Sequence, residues 1–292
     1  TREITMEKRV FLAIFLSFIV LVVYQAKFAP PPPKPAPTPA GQPSTPTPGA
    51  TAEAISPQAA APAAPAGPTA KPLVADSEAR DIVVETDAYV ATFNTQGAVL
   101  RSYRLRHYPD AKGEPLELIP TDLPAGTFQR PFTISTDDEK ESAVLAAALY
   151  RPSAASLSLG SNEGTLTFEY RDDSGLNARK TFDFQPKGQA YILNVEGSVD
   201  VGGKPRAVSL AFGPGLGLGY SPDSQRFTAP RGLQFLNGSI QRLAAGDVQK
   251  QPRYQGAIRY AGVDDHYFVA VALLADAPGR ADYSPVTVPI PG

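Results

Sequence analysis

The sequence of 292 residues contains no cysteine and no tryptophan, and it has only two histidines. Without cysteine the chain forms no disulfide, no thiolate metal site and no cysteine nucleophile. Two histidines and no tryptophan leave few groups from which to build a sugar-converting cleft. The motifs G-x-S-x-G and H-E-x-x-H are also missing, which excludes the common serine-hydrolase and zinc-protease arrangements.

The chain also lacks a large excess of charge of either sign. The chain has 27 basic and 29 acidic residues, and no block of like charge stands out. Nothing in this balance attracts nucleic acid electrostatically, so nucleic acid is excluded as an expected partner. Long hydrophobic runs are equally scarce, because only residues 10–26 form a charge-free apolar run close to spanning length.

This run reads V-F-L-A-I-F-L-S-F-I-V-L-V-V-Y-Q-A, and as a helix it covers roughly 25 Å. Only Ser17 and Gln25 interrupt it, so it has no polar face of the kind that a helix on a soluble core presents. A cleaved signal peptide is the other alternative, but the far end offers no clean A-x-A site. We therefore interpret residues 10–26 as an uncleaved signal-anchor helix.

The flanks of the run predict its orientation. Lys8 and Arg9 precede it, so the positive-inside bias keeps residues 1–9 as a cytoplasmic tail. Residues 27–77 follow as a linker rich in proline and alanine, whose composition buries too little apolar surface to offset the entropy of ordering. A flexible coil of this length averages roughly 40 Å from end to end. The remainder, 78–292, is expected to be an exported domain.

The exported part is built of short alternating runs. Runs typical of strands lie at 82–86, 89–94 and 98–105. Three consecutive antiparallel strands are predicted next, with Leu166, Phe168 and Tyr170 on one face of the first, Phe182 and Phe184 on one face of the second, and Tyr191, Leu193, Val195, Val199 and Val201 on one face of the third. These patterns predict an all-β fold, a large sandwich.

Three further signals concern turns and a helix. Asn237-Gly238 between two apolar arms predicts a type I′ hairpin, which explains the N-G-S sequence without glycosylation. The last clear strand is expected at 266–274. Residues 137–151 have acidic residues in front and Pro152 behind, and their continuous apolar tail fits a helix or a strand, so both alternatives stay open.

Two groups of residues are candidates for a catalytic or ligand-binding site. The glycine run at 212–220 lacks the spacing G-x-G-x-x-G and is interpreted as a loop where strands turn or approach. The sequence D-D-H at 264–266 places Asp265 and His266 next to each other at the start of a strand, where they point to opposite faces. The second histidine of the chain is His107. We expect no catalytic residue, no cofactor-binding residue and no metal ligand.

Five segments in a fixed order support a resemblance to a known family. They are M-E-K-R-V-F-L-A-I-F-L-S-F at 6–18, the spacer after it, the domain opening at 82–105, F-G-P-G-L-G at 212–217 and A-G-V-D-D-H-Y-F-V-A-V-A-L at 261–273. Together they resemble the YidC family of bacterial membrane protein insertases, of the Gram-negative type. The resemblance covers essentially the whole chain and rests on the order and spacing of these segments.

The resemblance implies an inner-membrane protein with its large domain in the periplasm, folded as a supersandwich similar to galactose mutarotase-like folds. It implies three partners: the Sec translocon with its accessory subunits, nascent membrane proteins, and the lipid bilayer. The family inserts proteins with five further membrane helices, and no second apolar run of spanning length follows residues 10–26. The chain is therefore expected to be an N-terminal portion, with its sandwich truncated at the C-terminal end.

Three hypotheses about function follow. The first is that this portion anchors an insertase and offers a periplasmic platform to partners. The second, from another class, is a membrane-tethered carbohydrate-binding or sugar-epimerising sandwich, although a fold does not carry its function with it. The third is a passive envelope adaptor, which differs from the first only in its partner.

Overall fold

The computed structural model describes residues 70–110, 112–120, 128–185, 189–214, 230–265, 267–274 and 279–286. The predicted anchor at 10–26 and nearly all of the predicted linker lie outside these residues. Within the described part of the chain, no helix has the length and apolar character needed to cross a membrane.

The described residues form mostly strands. In chain order these are β1 Pro72–Val74, β2 Asp81–Thr86, β3 Tyr89–Asn94, β4 Val99–Pro109, β5 Pro115–Glu117, β6 Ile134–Ser135, β7 Arg151–Pro152, β8 Ser156–Gly160, β9 Gly164–Asp172, β10 Leu176–Phe184, β11 Leu193–Val201, β12 Lys204–Pro205, β13 Ser209–Leu210, β14 Arg231–Leu236, β15 Ser239–Leu243, β16 Arg253–Gly256, β17 Ile258–Asp264, β18 Val269–Leu273 and β19 Gly279–Asp282. The two helices are α1 Glu139–Ala147 and α2 Ala245–Lys250.

Two sheets form a sandwich, which confirms the predicted all-β class. The first sheet has the order β1-β9-β10-β11-β12, with β7 also paired to β9. The second has the order β5-β4-β3-β2-β8, in which only the β2–β8 pairing is parallel. The three predicted antiparallel strands are β9, β10 and β11, paired as consecutive neighbours.

The predicted faces of β9 and β10 are confirmed. On β11 Val199 is buried and Leu193, Val195 and Val201 are partly buried against the same core, whereas Tyr191 precedes the strand and is 46% exposed, so the prediction for Tyr191 is wrong. Leu166, Phe168, Tyr170, Phe182 and Phe184 are all buried between the two sheets. Period-2 alternation works here because one face of each strand packs on the core and the other meets water.

Aromatic rings fill the centre of the sandwich. Phe93 of β3 contacts rings of the opposite sheet, with its ring centroid 4.7 Å from that of Phe182 and 6.0 Å from that of Phe168. Phe132 and Phe184 complete the cluster, at 6.4 and 6.2 Å from Phe93. Such tilted and edge-on pairs add to the free energy gained by burying the rings.

The folded part of the chain begins earlier than residue 78. Strand β1 lies inside the range 27–77 that composition assigned to the linker, and it pairs with β9 through Pro72 and Val74. Lys71 also donates its backbone N–H to the carboxylate of Asp173. The sequence did not reveal this strand because three residues with a proline at their start carry no period-2 signal.

A smaller sheet with the order β15-β14-β17-β18 follows in the chain. The predicted Asn237-Gly238 hairpin is confirmed, with φ of 49° and 88° at the two turn residues, as a type I′ turn requires. One face of this sheet packs with α2 and the β16–β19 pair around a second core, formed by Leu236, Leu243, Val248, Tyr254 and Ile258. The strand expected at 266–274 is β18, and β19 is a further strand beyond it.

The ambiguous segment at 137–151 contains a helix, α1. Asp138 caps it, because its carboxylate accepts the backbone N–H groups of Lys140 and Glu141 at 2.7 and 3.1 Å. The same two hydrogen bonds hold the pKa of Asp138 below its ordinary value. Leu145 is fully buried in the core, whereas Ala143 and Ala146 are exposed. The apolar tail that suggested a strand is helical as far as Ala147 and extended after it, where Leu149 forms a β-bridge with Gln96.

The hairpin turn gives a direct test of the fold. Gly238→Ala is expected to lower the free energy of unfolding by about 1–2 kcal/mol, because a Cβ is strained at its φ of +88° although nothing lies within 4 Å of it. Urea unfolding of the purified chain measures the change. Gly246→Ala is the matched control, since Gly246 lies in α2 with open space around it and alanine favours the helix. Equal effects of the two variants would contradict the type I′ assignment.

Candidate interaction surface

The D-D-H sequence is a structural turn in its described part. Asp264 forms an ion pair with Arg242 at 2.7 Å, measured from Oδ2 to Nε. The carboxylate of Asp265 accepts the backbone N–H groups of Tyr267 and Phe268 at 2.8 and 2.7 Å. His266 lies outside the described residues. The Asp264 carboxylate thus links β17 to β15, and the Asp265 carboxylate holds the turn between β17 and β18.

The other sequence candidates lie apart from this turn. His107 is exposed on β4. Of the glycine run at 212–220, residues 215–220 fall outside the described part of the chain, so the structure does not test the loop prediction there. The described residues bring together no group of three or more His, Asp or Glu side chains that could hold a metal ion.

A shallow depression of about 150 Å³ lies on the outer face of the first sheet, lined by polar residues of β9, β10 and β11. Its carboxylates are already engaged: Glu169 binds Arg179 at 2.6 Å and Arg151 at 3.2 Å. Asp200 accepts a hydrogen bond from Asn177 at 2.9 Å. The depression therefore gives no support to the sugar-epimerising alternative, which requires unpaired acid and base groups.

One charged side chain lies inside the core. Lys180 of β10 is fully buried, and its Nζ donates to the carbonyl oxygens of Gly97, Ala98 and Phe132 at 2.6, 3.2 and 2.6 Å. These three acceptor residues all have positive φ, of 71°, 47° and 68°. Lys180 thus joins the first sheet to two turns whose carbonyls point inward. Its Nζ also lies 5.2 Å from the ring centroid of Tyr150.

The surroundings of Lys180 indicate a structural role. Burial lowers its pKa to about 7, whereas hydrogen bonds to carbonyl oxygens favour the charged form and oppose this shift. All three ammonium hydrogens have an acceptor, and the group is closed off from solvent. A lysine that transfers a proton or attacks a substrate needs access, which Lys180 does not have.

The smaller sheet presents an exposed apolar surface on the side opposite the second core. Register places Ile240, Phe235, Tyr260 and Leu273 in one row across its four strands, because Phe235 pairs with both Ile240 and Tyr260, and Tyr260 pairs with Leu273. Val271 and Val269 lie on the same side of β18. We call these six residues the open face. Ile240, Val269 and Leu273 are 60%, 60% and 70% exposed.

An aromatic cluster adjoins the open face at the start of β18. It consists of Tyr108, Tyr191 and Phe268, with the ring of Tyr108 5.7 Å from that of Phe268 and 6.2 Å from that of Tyr191. Tyr108 and Tyr191 are 45% and 46% exposed. Large apolar groups gathered on a surface are typical of a binding site, whereas single exposed ones are ordinary.

Two buried tyrosines lie close to this cluster. The rings of Tyr89 and Tyr103 stack with their centroids 4.5 Å apart. Burial raises the pKa of Tyr89 to about 12, and burial followed by interaction with Tyr89 raises the pKa of Tyr103 further. Both hydroxyls therefore stay neutral at physiological pH.

The sequence patterns did not single out Lys180 or the open face, although the period of β10 already put Lys180 on the face of Phe182.

These features define a large all-β sandwich domain that presents an exposed apolar surface on its smaller sheet. Comparison with known proteins identifies its family. The family model described as the YidC periplasmic domain matches residues 81–286. The chain belongs to the YidC family of membrane protein insertases, and this sandwich is its periplasmic domain.

Several relatives carry the name "Membrane protein insertase YidC". The protein from Oleidesulfovibrio alaskensis is 26% identical over 96% of this chain and 50% of its own length. The one from Geobacter metallireducens is 28% identical over 92% and 49%. The one from Anaeromyxobacter dehalogenans is 30% identical over 95% and 50%. The chain thus spans about half the length of the curated relatives it matches, and the family implies an inner-membrane protein.

Proposed function

We propose that this chain is the N-terminal part of a membrane protein insertase that inserts and folds inner-membrane proteins, alone or with the Sec translocon. In this proposal residues 10–26 anchor the chain, residues 1–9 stay in the cytoplasm, and the sandwich offers a periplasmic platform to partners. Nascent membrane proteins, the lipid bilayer, and the translocon with its accessory subunits are the proposed partners.

The observation that carries the proposal is the extent of the similarity. The alignment with the Oleidesulfovibrio alaskensis insertase covers 96% of the chain, so it continues from the sandwich through the linker into the apolar run. The similarity is therefore not confined to the sandwich. Charged residues before the run and an apolar run of near-spanning length support the proposed orientation.

Physical chemistry supports a division of labour within the whole protein. Insertion lowers the cost of moving polar loops and helix ends through hydrocarbon, where unsatisfied backbone groups are expensive. One helix cannot form the hydrated groove that this requires. A platform on a long tether contributes instead by raising the effective concentration of its partners near the membrane.

The proposed topology has a sharp test. Alkaline phosphatase, which is active only outside the cytoplasm, is fused after Arg80 in the full N-terminal context. We expect high activity there, because residues 10–26 export everything that follows them. The same reporter fused before Val10 is the control and is expected to be inactive. An inactive fusion after Arg80 beside an active one before Val10 would reverse the topology.

A further inference from the structure

The open face has a composition that a soluble surface seldom shows. Three of its aliphatic side chains, Ile240, Val269 and Leu273, are more than half exposed, and they lie on both edge strands of the smaller sheet. The other side of the same sheet is covered by α2 and the β16–β19 pair. One side of this sheet is therefore packed and the other presents apolar groups to the outside.

Positive charge surrounds these apolar groups. Arg231 lies opposite Asp264 in the register of β14 and β17, and Arg242 of β15 forms an ion pair with Asp264. Arg259 places its guanidinium 5.6 Å from the ring centroid of Phe235. Three arginines thus lie beside the open face, against the carboxylates of Asp264 and of Asp265 in the neighbouring turn. This charge is complementary to a surface of anionic headgroups.

Tyrosines accompany the apolar groups. Tyr260 belongs to the open face, in the row of Ile240 and Leu273, and Tyr267 is exposed in the turn before β18. Tyr108 and Tyr191 belong to the aromatic cluster around Phe268, the residue before Val269. Tyrosine suits the boundary between water and hydrocarbon, because its ring is apolar and its hydroxyl is polar. Exposed aliphatic groups together with tyrosine and arginine are typical of surfaces that lie on a bilayer.

We propose that the open face docks onto the anionic lipid surface of the membrane that anchors the chain. This inference rests on the proposed function, since the anchor at 10–26 brings the sandwich to the bilayer. The 43 residues between Ala26 and Ala70 average roughly 40 Å as a coil, so the tether holds the domain within reach of the headgroups. The occupant is the bilayer itself, with Ile240 and Leu273 entering the headgroup region.

The absence of cysteine makes the test clean, because one introduced cysteine is then the only thiol. The full chain carrying Leu273→Cys is labelled with an environment-sensitive fluorophore and reconstituted into phosphatidylglycerol vesicles that contain spin-labelled acyl chains. Ser198→Cys is the control, since Ser198 is exposed on the outer face of the first sheet. We expect the Leu273 label to be blue-shifted and quenched, and the Ser198 label to be unaffected.

Charge variants test the electrostatic part. Arg231→Gln with Arg259→Gln is expected to lower the docking equilibrium about 25-fold, at about fivefold for each arginine near an anionic surface. Arg179→Gln with Arg253→Gln removes the same charge elsewhere and is expected to change nothing. Quenching at Leu273 that matches Ser198, or that is equal in phosphatidylcholine, overturns the proposal.

The remaining outcomes separate other occupants and the anchor itself. A Leu273 label that is shielded only when the chain density rises indicates a second copy, and one shielded only by an added protein indicates a protein partner. Either result overturns lipid docking. Vesicle flotation is measured on the same samples. A chain that fails to float contradicts the proposed anchor, whereas one that floats without Leu273 quenching contradicts only the docking.

Discussion

Replacing Lys180 by methionine is expected to lower the free energy of unfolding by about 3–5 kcal/mol. Methionine leaves the carbonyls of Gly97, Ala98 and Phe132 buried without the donor that the ammonium supplies. Each buried acceptor without a partner costs about 1–3 kcal/mol, and the relief of removing a buried charge offsets part of the total. Guanidinium unfolding of the purified chain followed by circular dichroism measures the loss.

Lys204→Met is the matched control, because Lys204 is exposed on β12. Its free energy of unfolding is expected to stay within about 0.5 kcal/mol of the parent chain. If Lys180→Met were as stable as this control, the three carbonyls would have other donors and the proposed link between the first sheet and the two turns would be wrong.

The pH dependence of stability gives Lys180 a second readout. Its pKa is 10.5 in the unfolded chain, and burial lowers it to about 7 in the folded one. Between these values the unfolded state binds more protons, so the contribution of Lys180 to the free energy of unfolding increases as the pH rises from about 7 to 10.5. The difference between the parent chain and Lys180→Met is expected to widen across this range. A difference that narrows there would mean that the hydrogen bonds to the charged form outweigh burial.

Replacing Phe93 by alanine is also expected to lower the free energy of unfolding by about 3–5 kcal/mol. Phe93 lies at the centre of the sandwich and contacts rings from β9, β10 and the turn at Phe132. Alanine removes these contacts and leaves a cavity that the two sheets cannot close. The midpoint of guanidinium unfolding is expected to fall while the slope of the transition stays unchanged.

Two further variants show whether this loss of stability comes from the ring cluster around Phe93. Phe93→Leu keeps most of the buried volume and is expected to cost less than half as much as alanine. Tyr108→Ala removes a ring of similar size from the partly exposed aromatic cluster, where the expected loss is about 1 kcal/mol. An equal loss for Phe93→Ala and Tyr108→Ala would show that the ring cluster around Phe93 is not the main core.

Much of the fold is predictable from the sequence because its signals are local. The faces of β9 and β10 follow from alternation in a single strand, and Asn237-Gly238 specifies its own turn geometry. Residues 137–151 were undecided for the opposite reason. Their apolar tail fits both periods, and the helix is selected by the cap at Asp138 together with the packing of Leu145 in the core.

The surface and the buried cation are less accessible to sequence reasoning. Lys180 lies on the same face of β10 as Phe182 and Phe184, so the sequence pattern is enough to infer that it points inward. The pattern does not reveal its hydrogen-bond partners. Gly97 lies 83 residues away, and nothing near Lys180 in the chain indicates that three carbonyls converge on it. The open face depends on β14 pairing with β17, which is separated from it in the chain by two strands and a helix.

The sequence by itself determined the all-β class, the alternating faces, the hairpin and the family to which the chain belongs, because these depend on neighbouring residues and on the order of segments. Only the tertiary structure decided that Lys180 joins the first sheet to two turns and which side of the smaller sheet stays apolar and exposed. The alternation of apolar and polar residues indicates only that a strand has two unlike faces. Which of them is covered depends on contacts between residues far apart in the chain.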